Sequence, residues 1–104
     1  MSDLPNFVTI NEEGPREGFQ IEPGPISTAD KIKLIDALSE TGLKNIQACS
    51  FVNPRLVPGW ADAEAVVEGF KAVKGIKYTG LYFNGNGLDR AIKYQGKLTL
   101  SGSI

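Results

Sequence analysis

The chain has 104 residues, of which 41% are hydrophobic and 22% charged, with a formal net charge of -1. This is the composition of a globular domain with a modest core. It excludes a global basic field for nucleic acid, and no apolar run approaches the ~20 residues that span a bilayer. The start, Met1-Ser2-Asp3-Leu4-Pro5, lacks a basic region followed by an apolar core and reads as no signal peptide, so a cytoplasmic protein is expected.

Two counts narrow the chemistry. Cys49 is the only cysteine, which rules out an intrachain disulfide. There is no histidine, the commonest metal ligand and the usual acid/base near neutral pH. Catalysis by this chain alone must therefore draw on carboxylates, lysine, arginine, tyrosine or one thiol.

Phe7 to Asn11 (FVTIN) is β-branched and apolar and predicts a strand. The polar stretch EEGPREGFQ, Glu12 to Gln20, follows at once and places Arg16 and Glu17 between two glycines. It reads either as a solvated turn or as a loop where an acid holds a metal and a guanidinium meets negative charge. Ser27, three residues before Asp30, opens a helix with the apolar stripe Ile32, Ile35 and Leu38, helped by Leu34; Gly42 fits its stop.

Asn45 to Val52 (NIQACSFV) predicts the second strand, and NPRLVPGW its loop. Asp62 suits the cap of a second helix with Val66, Val67, Phe70 and Val73 on one face, ended by Gly75. Lys77 to Phe83 predicts a third strand, and about Leu88 to Tyr94 a short helix. Lys97 to Ser101 predicts a fourth strand. Asn84-Gly85-Asn86-Gly87 suits a hairpin turn in isolation. The alternation of strand and helix instead implies parallel strands and right-handed crossovers, as in a doubly wound sheet or a (β/α) barrel. In such folds ligands bind beyond the carboxyl ends of the strands. That rule gathers Glu12 to Gln20, Ser50 to Arg55, Asn84, and Ser101 to Ser103 on one rim.

Three stretches carry a family resemblance. GPREGFQ resembles the GPRDGLQ loop of hydroxymethylglutaryl-CoA lyases, KIKLIDALSETGL is similar to their first helix, and SFVNPRLVPGWADAEAV resembles their second-strand loop, commonly SFVSPK-x-VPQ-x-x-D. The likeness runs from about Val8 to the last residue, in matching order and spacing. It implies a partial (β/α) TIM barrel of about four parallel strands and three connecting helices. It further implies that residues 1–104 form the N-terminal, incomplete part of a lyase barrel. The activity implied for the parent enzyme is cleavage of a 3-hydroxyacyl-CoA such as 3-hydroxy-3-methylglutaryl-CoA to acetyl-CoA and acetoacetate, with Mg²⁺ or Mn²⁺.

By the same resemblance Arg16 is the catalytic cation and Glu17 the metal ligand, in place of an aspartate one methylene shorter. Glu12, Gln20, Gln47, Ser50 and Asn84 are the substrate-binding candidates, and Gln47 stands where the family usually has glutamate. The family completes its metal site with two histidines and an asparagine from later strands, and adds a late-loop cysteine; none of these is matched here. The 104-residue chain alone is therefore expected to be inactive. The alternative is a non-catalytic remnant that binds acyl-CoA or a partner chain. Four strands do not close a barrel, so the inner face and two edges should be open, with Ile10, Ile46 and Leu81 exposing apolar surface and favouring homo-oligomers.

Overall fold

A computed structural model of the chain describes residues 10–18 and 26–102. Phe7 to Thr9 of the first predicted strand, Gln20, most of the proline-rich segment that follows and Ser103 lie outside the described residues. The elements are β1 (Asn11–Glu12), α1 (Thr28–Leu38), β2 (Asn45–Ser50), α2 (Ala63–Gly69), β3 (Lys77–Tyr82), α3 (Gly85–Ala91) and β4 (Thr99–Gly102). The four strands pair in sequence order and every pair is parallel, as the alternation of elements predicts. This is the arrangement of a partial (β/α) barrel.

Local chemistry sets some of the helix ends, and tertiary contacts override others. Ser27 Oγ accepts from the Asp30 amide at 3.1 Å and opens α1. Asn84 Oδ1 accepts from the Gly87 amide at 2.8 Å, so the Asn-Gly-Asn-Gly stretch starts α3 three residues earlier than the sequence suggests. Asp62 precedes α2 but makes no cap bond. Its carboxylate instead accepts from Lys31 Nζ at 2.6 Å and Thr28 Oγ1 at 2.5 Å, a tertiary pairing that displaces the local one. Helix α2 ends at Gly69, which leaves Val73 outside it and exposed. Gly42 and Gly75 stand in the turns before β2 and β3 at φ of 91° and 93°, conformations that favour glycine.

The helices cover one face of the sheet. Ile35, Ile46, Ala48, Cys49, Phe51, Trp60, Val66, Val67, Phe70 and Tyr78 form the core, each no more than 2% exposed. Burial of the larger aliphatic and aromatic side chains among them contributes about 1.5–3 kcal/mol each. Ile46 therefore faces the helices, contrary to the expectation that it exposes apolar surface; Leu81 is half-buried and Ile10 is 60% exposed.

The opposite face is polar. Asn11, Asn45, Gln47, Lys77, Thr79, Thr99 and Ser101, together with Ile46 and Leu100, line a shallow open cleft across the strands. Strand β2 carries an irregularity between Gln47 and Cys49, where Gln47 pairs with Thr79 but Cys49 with Gly80. The extra residue shifts β2 by one position, so Gln47 and Ser50 sit opposite Thr79 and Leu81 and share the open face. Cys49 lies opposite Gly80, where an added Cβ would meet Phe51, Leu98 and the Cys49 sulfur.

Candidate functional site

The segment after β1 folds into a single helical turn, Gly14–Gly18, with a 2.8 Å bond from the Glu17 amide to the Glu13 carbonyl. Pro15 is buried and anchors it. The turn aims Arg16 at the sheet. Its Nε donates to Gln47 Oε1 at 3.0 Å, Nη2 to Glu13 Oε1 at 3.2 Å, and Nη1 to Glu17 Oε2. The Arg16 side chain is 16% exposed, whereas those of Glu13 and Glu17 are 54% and 50% exposed. A guanidinium thus lies over the amide of β2 with its outer side held by two solvent-facing carboxylates.

The backbone of the turn is fixed from the other side. Trp60 Nε1 donates to the Arg16 carbonyl at 2.8 Å, and the indole is fully buried. Lys31 Nζ stands 4.9 Å from the Trp60 ring centroid and donates to the Gly59 carbonyl and to Asp62. The loops after β1 and β2 are therefore joined through one indole.

A second junction joins the loops after β2 and β3. Phe51, Val52, Asn53, Pro54, Asn84 and Arg90 line a cleft of about 150 Å³ there. Arg90 Nε and Nη2 donate to the two oxygens of Glu64 at 2.6 and 2.8 Å, while Nη1 donates to the Val52 carbonyl at 3.0 Å. This fork holds the Glu64 carboxyl below its ordinary pKa range, first through the hydrogen bond to Arg90.

The sequence candidates thus separate by place. Arg16, Glu17 and Gln47 meet directly. Glu12 accepts from the Gly14 amide at 3.3 Å and serves the turn. Asn84 lines the second cleft while capping α3. Ser50 is fully buried, and its hydroxyl has no hydrogen-bond partner among the described residues. Gln20 lies outside the described residues. No hydrogen bond among the described residues links Arg16 to Ser50 or Asn84.

Glu13, Lys31 and Trp60 are partners that sequence reasoning missed. Glu13 was visible in principle, three residues from Arg16 on the same turn. Trp60 lies 44 residues from Arg16, and no local pattern announces that contact. Cys49 is a fully buried core residue, and burial pushes its thiol up.

The described residues do not by themselves fit a divalent cation. They hold no group of three carboxylate, thiol or imidazole side chains that could bind a metal. Glu17 offers one carboxylate, and it is engaged with Arg16. Mg²⁺ needs six oxygen ligands in near-octahedral array.

Comparison with known proteins gives the context of this rim. No family profile matches the chain. It is 48% identical over 92 residues to a mitochondrial hydroxymethylglutaryl-CoA lyase from Macaca fascicularis, covering 88% of this chain and 28% of that one. The crystal structure of the Bacillus subtilis HMG-CoA lyase superposes with a TM-score of 0.87 at 43% identity, over 94% of this chain and 33% of that one. An HMG-CoA lyase from Acinetobacter baumannii, solved in complex with coenzyme A and 3-methylmalate, superposes at 0.85 with 39% identity, over 96% of this chain and 33% of that one. The chain spans 28–30% of the length of the curated relatives it matches.

Proposed function

Because this chain is a relative of the hydroxymethylglutaryl-CoA lyases, matching their N-terminal portion, we propose that it supplies the first part of a carbon–carbon lyase site for a 3-hydroxyacyl-CoA. The observation that carries this reading is the convergence of Arg16 on Gln47 across 31 residues of sequence, on the open face of a parallel sheet. The parent reaction removes the proton of the C3 hydroxyl and breaks the adjacent carbon–carbon bond, giving acetoacetate and the enolate of acetyl-CoA. Negative charge grows on the thioester oxygen, and a fixed guanidinium aimed there stabilises it. Arg16 is the candidate for that role. Its burial against β2 supports the assignment, because a preorganised donor in a drier setting interacts more strongly than one in water.

Glu17 is the proposed carboxylate contribution to a Mg²⁺ or Mn²⁺ site, with the remaining ligands coming from outside the described residues. Gln20, Gln47, Ser50, Glu12 and Asn84 are proposed to line or support the acyl-CoA site. Glu17 in place of aspartate and Gln47 in place of a carboxylate together suggest a variant subgroup with another acyl-CoA substrate. We place residues 1–104 as the N-terminal, incomplete part of the barrel. No helix among the described residues is long and apolar enough to cross a membrane. A cytoplasmic site of action and association of copies through the open edges at β1 and β4 belong to the same proposal. Cell fractionation and light scattering test these two points.

The test of activity is a chimera. Replacing the matching segment of the Bacillus subtilis lyase with this chain should give a closed barrel that releases acetyl-CoA from a 3-hydroxyacyl-CoA when Mg²⁺ or Mn²⁺ is added. Arg16→Gln in that chimera should lower kcat by about 10²-fold or more. The 104-residue chain alone should show no turnover. A folded, metal-loaded chimera without turnover would contradict the lyase reading, and so would turnover unaffected by Arg16→Gln.

A further inference from the structure

We infer that Trp60, backed by Lys31, is a positioning residue that sets the place of the Arg16 guanidinium. Three observations carry this. The indole N–H donates to the Arg16 carbonyl itself at 2.8 Å, so the bond fixes the backbone from which the guanidinium springs. The ring is fully buried and lies beneath the Lys31 ammonium, 4.9 Å from its centroid. Lys31 is held in turn, at 2.6 Å by Asp62 and by the carbonyl of Gly59, the residue before Trp60. Helix α1, the loop after β2 and the turn after β1 are thus linked in series, and the series ends on the residue that reaches Gln47.

The linkage differs from ordinary core packing in its direction. An apolar side chain of similar volume would fill the space under the loop, but it would leave the Arg16 carbonyl without this donor. A carbonyl out of its bond lets the Gly14–Gly18 turn rotate, and the guanidinium moves with it. Displacement by about 1 Å is enough to cost a catalytic group much of its effect. The inference rests on the reading of Arg16 as the site's cation, but its test needs no substrate.

The test uses the 104-residue chain. Trp60→Phe keeps an aromatic ring and removes the N–H. Amide hydrogen exchange at Arg16, Glu17 and Gly18 should accelerate by about tenfold or more, while the amides of Phe51 and Lys77 keep their wild-type rates. Unchanged exchange at residues 16–18, or equal acceleration throughout the sheet, would overturn the proposal. Lys31→Met supplies a second route, because Trp60 is the only tryptophan and its emission reports on its own surroundings. A red shift with native far-UV dichroism and faster exchange at residues 16–18 supports the clasp. Unmoved emission with unmoved exchange overturns it. Neither readout involves acyl-CoA, so the clasp and the lyase reading fail separately.

Discussion

The two faces of the four-stranded sheet follow opposite rules. The helix-covered face carries Ile46, Cys49 and Tyr78 and is dry. The other carries Gln47, Thr79, Thr99 and Ser101 and is open and polar. A sheet with two apolar faces would expose a broad sticky surface if left half covered. Here the face that lacks a cover is one that water can solvate. The fold is thus held from the helix side, and the open side is free to be built for chemistry. Arg16 joins the two, with its guanidinium over Gln47 on the open face and its carbonyl tied to a core indole.

The contrast is broken most severely from the dry side. Phe51 is 1% exposed, stacks with Tyr94 at 6.2 Å and lines the second cleft. Phe51→Ala should cost about 3–5 kcal/mol in chemical denaturation, enough to unfold much of a marginal domain. A loss below about 1 kcal/mol would mean that the helix face is not a packed core.

A middle effect is expected where the core meets the rim. Glu64→Gln weakens the fork to Arg90 and should cost about 1 kcal/mol at neutral pH, since both side chains are partly exposed and solvent screens the pair. The pH dependence has a definite sign. The Glu64 carboxyl is held below its ordinary range in the folded chain. Its stabilisation is therefore complete above the unfolded-state pKa and is lost as pH falls through the folded-state value. The stability gap between wild type and Glu64→Gln should close on acidification below the ordinary glutamate range. A gap that widens toward acid would reverse the account.

Ser50 sharpens the comparison further, because it is a buried polar side chain on the open-face side of β2 whose hydroxyl has no partner among the described residues. Ser50→Ala removes a hydroxyl with no partner among the described residues and should leave stability unchanged or raise it by up to about 1 kcal/mol. A loss above about 1 kcal/mol would show that the hydroxyl is bonded in solution. The smallest effect belongs to the open face itself. Thr99 is exposed there, and Thr99→Ala should change stability by no more than about 0.5 kcal/mol.

Much of this organisation is legible in the amino-acid sequence because it is local. The runs NIQACSFV and KYTGLYF announce strands, Ser27 caps its helix as its side-chain chemistry directs, and strict alternation gives parallel order. The motif around Arg16 points to the rim, and the structure brings Arg16, Glu17 and Gln47 together. What is not legible depends on distance. Asp62 has the form of a cap, but Lys31 arrives from 31 residues away and takes its carboxylate. Ile46 reads equally well on either face, since a strand's alternation says which residues are together but not which side is covered. The irregularity after Gln47 then shifts β2 by one residue, which no spacing rule reveals. Trp60 looks like a loop aromatic, yet it is the link on which the Arg16 turn rests.

The central claim is spatial: one turn after β1 sets a guanidinium against β2 on the open face, with a buried indole holding its backbone. Nuclear Overhauser contacts in the labelled chain test it most directly. Cross-peaks from the Arg16 Nε proton to the Gln47 side chain, and from the Trp60 indole proton to the Arg16 and Glu17 backbone, are the predicted result. A folded chain in which the Arg16 side chain shows contacts only within its own turn, or in which β1 and β2 run head to tail, would contradict it.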